Sequence, residues 1–188
     1  MAAEVKMNFE KLQNDLECQE LEALGGVASF QVYGQLLGLY LLHNDTCNAK
    51  FLWKRIPQTV KSANPELASI WTIGQKMWQR DYPGVYETVK KEWSEPIKPV
   101  MTALFETARK RAFELVALAY SSINADDLSL FVGLPVNDAV KAAVAEGWEA
   151  DPQTRFLIPK RKVPPPSHAP PSEHQLAVLT DYVSFLEN

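Results

Sequence analysis

The chain has two cysteines, three histidines and eight glycines in 188 residues, and each shortage closes off a class of chemistry. Cys18 and Cys47 are too few for a disulfide framework or a cysteine-rich metal site. As bare thiols they suit a reducing compartment and read as ordinary small apolar residues. His43, His168 and His174 form neither a His-x-His nor a His-Glu-x-x-His pair, so no metal ligands are expected. His43 lies four residues before Cys47, which reads as a helix-end histidine beside a small buried side chain. There is no Gly-x-Gly-x-x-Gly and no Gly-Lys-Ser/Thr loop to hold a nucleotide; the glycines fall at turns and helix crossings. No two carboxylates are placed more specifically than on a solvated helix face. No catalytic residue, cofactor or small-molecule substrate is therefore expected, and the chain does not read as an enzyme. Positive charge is also short: 19 Lys and Arg against 23 Asp and Glu leave a net charge of −4, a poor match to a phosphate backbone. The longest apolar run, Leu36 to Leu42, is far below the ~20 residues of a membrane span. The segment MAAEVKMNFEKLQ lacks the apolar core of a signal peptide. A soluble, intracellular chain without a membrane partner is expected.

Hydrophobic residues at helical spacing are what the chain does have. Residues 6–22, with Met7, Leu12, Leu16 and Leu21, predict an opening helix that LGG stops at Leu24–Gly26. A second helix runs from Phe30 through QVYGQLLGLYLLHND, and a third through TCNAKFLWKRIP to Pro57. A fourth follows NPE and carries Leu67, Ile70, Trp71, Ile73, Met77 and Trp78. DYPG then turns the chain into a fifth, from Val85 to about Glu92. A shift of 36 residues superposes Leu37 on Ile73, Gly38 on Gly74, Leu41 on Met77, Leu42 on Trp78, Asp45 on Asp81 and Ala49 on Val85. That period is close to the tetratricopeptide-type helix pair of about 34 residues. Trp53, Trp71 and Trp78 are accordingly expected to pack between helices.

A longer helix is predicted from about Ile97 to Ser121, with Phe113, Val116, Leu118 and Tyr120 as its buried side. Its Arg-Lys-Arg run, Arg109 to Arg111, reads as an exposed face. Ala125–Val132 and Val136–Glu146 then form helix, turn, helix: Asn124 or Asp126 caps the first, GLP is the turn, and Gly147 breaks the second. WEADPQTRFLIP adds two extended pieces around an Asp-Pro turn, which completes a winged helix. Its recognition helix offers Asn137, Asp138, Lys141 and Glu146, a poor set for reading bases. Arg155, Lys160, Arg161 and Lys162 at the wing are the one feature that favours a nucleic-acid adaptor. VPPPSHAPP, Val163 to Pro171, holds five prolines in nine residues and predicts a stiff spacer. A last helix starts at Ser172 with Leu176, Leu179, Val183 and Leu186 in one stripe, widened by Val178, Tyr182 and Phe185. The expected fold is mainly α. Its parts are helical repeats over 1–96, a winged-helix subdomain over 97–162, a proline-rich linker over 163–171 and a C-terminal assembly helix over 172–188.

Helical repeats running into a non-basic winged helix and a tail helix resemble the PCI-domain family, whose members build the proteasome lid, the COP9 signalosome and translation initiation factor 3. The blocks YGQLLGLYLLHND, AKFLWKRIP, IWTIGQKMWQRDYPGVY, ADDLSLFVGLP and LTDYVSFLEN resemble, in order, the subunit 8 family of the COP9 signalosome in its animal form. The likeness runs over nearly the whole chain; the segment between wing and last helix departs from it in being shorter and richer in proline. The resemblance implies a non-catalytic scaffold, a place in cytoplasm and nucleus, and a position beside subunit 3. It also implies winged helices associated side by side, C-terminal helices gathered in a bundle, and a complex that removes a ubiquitin-like modifier from cullin subunits of ubiquitin ligases. The zinc isopeptidase of such a complex belongs to another subunit. An exposed wing strand RFLIP would offer unpaired backbone for β-addition. Phe156, Leu157 and Ile158 are therefore expected at subunit 3, and Leu176, Leu179, Tyr182, Val183 and Leu186 in the bundle. The alternatives are a PCI subunit of the proteasome lid or of initiation factor 3, and a winged-helix nucleic-acid adaptor.

Overall fold

The computed structural model describes residues 2–151, 153–160 and 172–187; the spacer expected at 163–171 lies outside them, as do Arg161 and Lys162. The described chain is mainly helical. Helix α1 (Ala2–Leu21) leads through a single 3-10 turn to α2 (Phe30–Leu42), α3 (Thr46–Arg55), α4 (Gln58–Ala63), α5 (Pro65–Gln79) and α6 (Tyr82–Val89). The long α7 (Lys98–Ala119) follows, then β1 (Ile123–Asn124), α8 (Ala125–Val132), α9 (Val136–Ala145), β2 (Glu149–Ala150), β3 (Phe156–Ile158) and α10 (Ser172–Glu187).

Helix α2 is the centre of the first core because its sequence is apolar on every side. Leu36, Leu37, Leu39 and Leu41 are fully buried among α1, α3, α5 and α7, each such burial contributing about 1.5–3 kcal/mol. Gly34 and Gly38 fall one turn apart and let α7 approach closely: a Cβ at Gly34 would press on the Ile97 side chain, and one at Gly38 on Val100 and Met101.

The expected repeat is present down to its caps. Asn44 and Arg80, 36 positions apart, are both left-handed, with φ of 62° and 60°. The next residue in each pair, Asp45 or Asp81, caps the following helix by accepting from the N–H of Asn48 or Gly84. Their own N–H groups donate back to the equivalent carbonyls of Tyr40 and Lys76. Trp53 and Trp71 stack with centroids 5.7 Å apart, as packing between helices requires. Trp78 does not pack this way. It stands in the last turn of α5, 61% exposed, with the Lys50 ammonium over its ring.

Helix α7 serves two cores. Val100, Met101 and Leu104 close the first; Val116 enters a second with Ile123, Leu128, Val132, Ala139, Ala143, Trp148 and Leu157. Of its expected buried side, Val116 is buried and Phe113 is half-buried against the Trp148 ring. Leu118 and Tyr120 are exposed. Leu118 lies two residues past Val116, about 200° around the helix, and Tyr120 lies beyond the helix end. Arg109 and Arg111, expected on one solvated face, diverge for the same reason. Arg109 donates from Nε to the Val132 carbonyl of the second core, and Arg111 from a terminal nitrogen to the Leu42 carbonyl of the first.

The second unit is a winged helix: α8 and α9 are bent 89° from each other, and three strands lie in the antiparallel order β1-β3-β2. Gly133 ends α8 at φ +68°, where Tyr86 of α6 covers it so closely that any Cβ would meet the ring. The Tyr86 hydroxyl donates to the Phe131 carbonyl, and burial pushes its pKa up to about 12. This contact seats the winged helix on the repeats. Both thiols, expected as apolar filling, are exposed on α1 and α3.

Candidate functional site

The wing is built around Leu157. Strand β3 pairs on both sides, Ile123 opposite Leu157 on one and Ala150 opposite Leu157 on the other. Alternation along a strand sends Leu157 to one face and its neighbours to the other. Leu157 is 1% exposed in the second core, while Phe156 and Ile158 are exposed on the outer face beside Asn124 and Glu149. Two expectations are corrected by this. RFLIP is the central strand, so its backbone is already paired and unavailable for β-addition; the sheet edges are β1 and β2. Leu157 fills the wing's own core and is not a contact residue.

The wing turn owes its shape to Asp151. Its carboxylate accepts from the Gln153 N–H at 2.9 Å and from the Thr154 hydroxyl at 2.7 Å, and its backbone N–H donates to the Phe156 carbonyl. Arg155 takes φ +59°, and its carbonyl accepts from the Ala125 N–H, tying the turn to the start of α8. The Thr154 hydroxyl first, and the Gln153 N–H second, hold the Asp151 carboxyl below its ordinary pKa. A depressed carboxylate stabilises the folded turn above the unfolded pKa, and that contribution is lost as pH falls through the folded value. Titration of the Asp151 carboxyl carbon by NMR should give a midpoint below ~3.9, and Thr154→Val should raise it. An unshifted midpoint in both proteins would contradict the turn.

The expected recognition-helix residues Asn137, Asp138, Lys141 and Glu146 are all exposed, and Lys141 is paired with Asp138 at 3.8 Å. Of the wing cations, Arg155 and Lys160 are exposed; Arg161 and Lys162 lie outside the described residues. His43 caps α2 and meets Gln13 through Nδ1 at 2.7 Å, while Cys47 points outward on α3. Among the described residues, no group of three or more His, Cys, Asp or Glu side chains is placed to hold a metal ion.

The second candidate surface is α10. Every residue from 175 to 187 is exposed, including Leu176, Leu179, Tyr182, Val183 and Leu186. Positions 176, 179, 183 and 186 keep a three-four spacing, the seam of a helix that packs against other helices. Tyr182, Val178 and Phe185 broaden the apolar arc to about half the circumference at ~100° per residue. The other half carries Ala177, Thr180, Asp181 and Glu187, and residues 172–187 include no Lys or Arg. Strand β1 leaves no sign in the sequence, because its two residues carry no pattern of their own.

Residues 28–168 match the model of the CSN8/PSMD8/EIF3K family. The chain is 59% identical over 180 residues to a zebrafish (Danio rerio) protein named COP9 signalosome complex subunit 8, covering 95% of this chain and 94% of that one. An Arabidopsis thaliana protein of the same name is 39% identical over 154 residues, 81% and 77% of the two chains. One from Drosophila melanogaster is 34% identical over 182 residues, 95% and 94%.

Proposed function

The chain belongs to the CSN8/PSMD8/EIF3K family, and on that premise we propose that it is a non-catalytic scaffold subunit of a COP9 signalosome. The observation that carries this reading is α10, whose apolar seam is uncovered from end to end. A helix of this length is marginal in water unless something packs on it, and a multi-subunit assembly supplies that packing. In this proposal Leu176, Leu179, Val183 and Leu186 enter a bundle with helices of neighbouring subunits, Tyr182 flanking the seam. The outer face of the wing sheet, Phe156 and Ile158, meets the adjacent winged helix, that of subunit 3. Deneddylation of cullin-RING ubiquitin ligases is carried out by a different subunit, and this chain contributes shape and contacts in cytoplasm and nucleus. The lid and initiation-factor branches of the family have a weaker claim, because the zebrafish, Arabidopsis and Drosophila relatives all carry the signalosome name.

Affinity purification of the tagged chain from cytosolic and nuclear fractions tests this, with cross-linking from a photoreactive group at position 156. Signalosome subunits should co-purify from both fractions, and the cross-link should fall on subunit 3. Recovery of lid or initiation-factor subunits, or of nucleic acid alone, would overturn the assignment. A cross-link to another subunit would overturn the wing contact only.

A further inference from the structure

A groove of about 430 Å³ opens on the repeats where the two helix pairs meet α7, and no residue of the wing sheet lines it. Three cations line it, Lys76, Arg80 and Arg111, and among the described residues no carboxylate does. Part of its apolar surface is uncovered: Trp78 is 61% and Leu115 46% exposed. The Lys50 ammonium stands 5.6 Å above the Trp78 ring, adding a fourth cation at the rim.

Of the acids nearest in sequence, Asp81 brings its carboxylate to the same side of Gly84 as the Lys76 ammonium, which leaves Arg80 and Arg111 as the cations with most to offer. Asp45 and Asp81 face the first turns of α3 and α6 as N-caps. Glu114, which favours the charged form of Arg111, lies beyond ion-pair distance of it among the described residues. Arg111 is half-buried and donates to one carbonyl, that of Leu42 at 3.2 Å, out of five N–H groups a guanidinium offers. Burial holds its pKa below the ordinary arginine value, although the Glu114 carboxylate acts in the opposite direction. Lys76 spends one of three ammonium donors on the Gly84 carbonyl. Cationic donors with spare capacity around an open tryptophan face fit a ligand with carboxylates and one aromatic or long apolar side chain.

We propose that this groove receives a short acidic peptide segment of a partner protein, its carboxylates on Arg111, Arg80 and Lys76 and its apolar side chain on Trp78 and Leu115. A carboxylate bonded bidentately to Arg111 uses the donors the fold leaves over. The apolar side chain packs on the exposed part of Trp78 that Lys50 does not cover.

The test uses the full chain and a fluorescein-labelled hexapeptide of aspartate and glutamate around one central phenylalanine, with a control in which lysine replaces every acid. Fluorescence anisotropy should show binding of the acidic peptide alone, weakening as salt is raised. The Trp78 indole N–H signal should shift on titration. Arg111→Gln and Arg80→Glu should each weaken binding about tenfold or more, the loss expected for a charged hydrogen bond. Arg80 is exposed, so its variant remains informative if Arg111→Gln folds poorly. Equal binding of both peptides, an unmoved Trp78 signal, or unchanged affinity in Arg80→Glu would overturn the proposal. Tighter binding by Phe185→Asp would also overturn it, because the chain's own acidic tail would then be the occupant.

Discussion

Truncating Leu157 to alanine should lower the free energy of unfolding by about 3–5 kcal/mol, the cost of emptying a fully buried leucine site that cannot collapse. The second core has little to spare. Leu157 shares it with Val116, Leu128, Val132 and small residues such as Ala139 and Ala143, and the chain covers it with three short strands, two short helices and the end of α7. It is also the one wing residue opposite both edge strands, Ile123 on β1 and Ala150 on β2, so its loss loosens the whole sheet. Its neighbours should behave differently. Phe156→Asp or Ile158→Asp changes an exposed side chain, and stability should move by only about 0.5 kcal/mol. These two substitutions should instead reduce association with the neighbouring subunit. Urea unfolding followed by circular dichroism, beside co-purification, separates the effects. If Leu157→Ala unfolds at the wild-type midpoint while Phe156→Asp does not, the two faces of β3 are the reverse of those described, and the wing contact fails with them.

Elements with a long helical period were legible in the sequence. So was the pairing of α2–α3 with α5–α6, because the residues that define it are the ones with special backbone tasks. Asp45 and Asp81 are N-caps, and Asn44 and Arg80 close the preceding helices. What was not legible depended on direction or on long-range pairing. DYPG reads as a turn, yet Asp81 is the cap and Pro83 sits in the first turn of α6, where a missing N–H costs nothing. The apolar residues near the end of α7 looked like one side because Val116, Leu118 and Tyr120 alternate. On a helix Leu118 falls about 200° from Val116, Tyr120 lies past the helix end, and the core takes Ala112 and Val116. Strand β1 has two residues and exists only through its partner, Leu157 and Phe156 of β3. Without β1, β3 looked like an edge, and from that followed the mistaken expectation of free backbone at RFLIP. The groove beside Trp78 was invisible because Lys76 and Arg80, at the end of α5, and Arg111 of α7 come to one groove only through the packing of both helices on α2 and α6. The tail surface was readable because its seam is local to one helix.

Leu179→Asp should weaken assembly about a hundredfold or more while leaving the free chain's helicity and unfolding midpoint nearly unchanged. The two halves of that expectation have separate causes. In the free chain Leu179 is 59% exposed on a helix with every residue from 175 to 187 exposed, so replacing it removes no internal packing. In a bundle the same position lies at the centre of the seam, between Leu176 and Val183. Burial of that leucine contributes about 1.5–3 kcal/mol, and a carboxylate in its place must lose water without a partner. A loss of roughly 3 kcal/mol is about two orders of magnitude in affinity. Charge sharpens the expectation. Residues 172–187 carry acids and no Lys or Arg, so a further carboxylate adds repulsion to any acidic neighbour and gains nothing from its own helix. Ala177→Glu is the matched control, placing the same charge on the opposite, polar face, and it should leave assembly intact. Sedimentation of the reconstituted complex reads both variants. If Ala177→Glu disrupts assembly as strongly as Leu179→Asp, added charge and not the seam is responsible. If Leu179→Asp lowers the midpoint of the free chain, the tail packs on its own domain, and the uncovered seam that argues for a scaffold is lost.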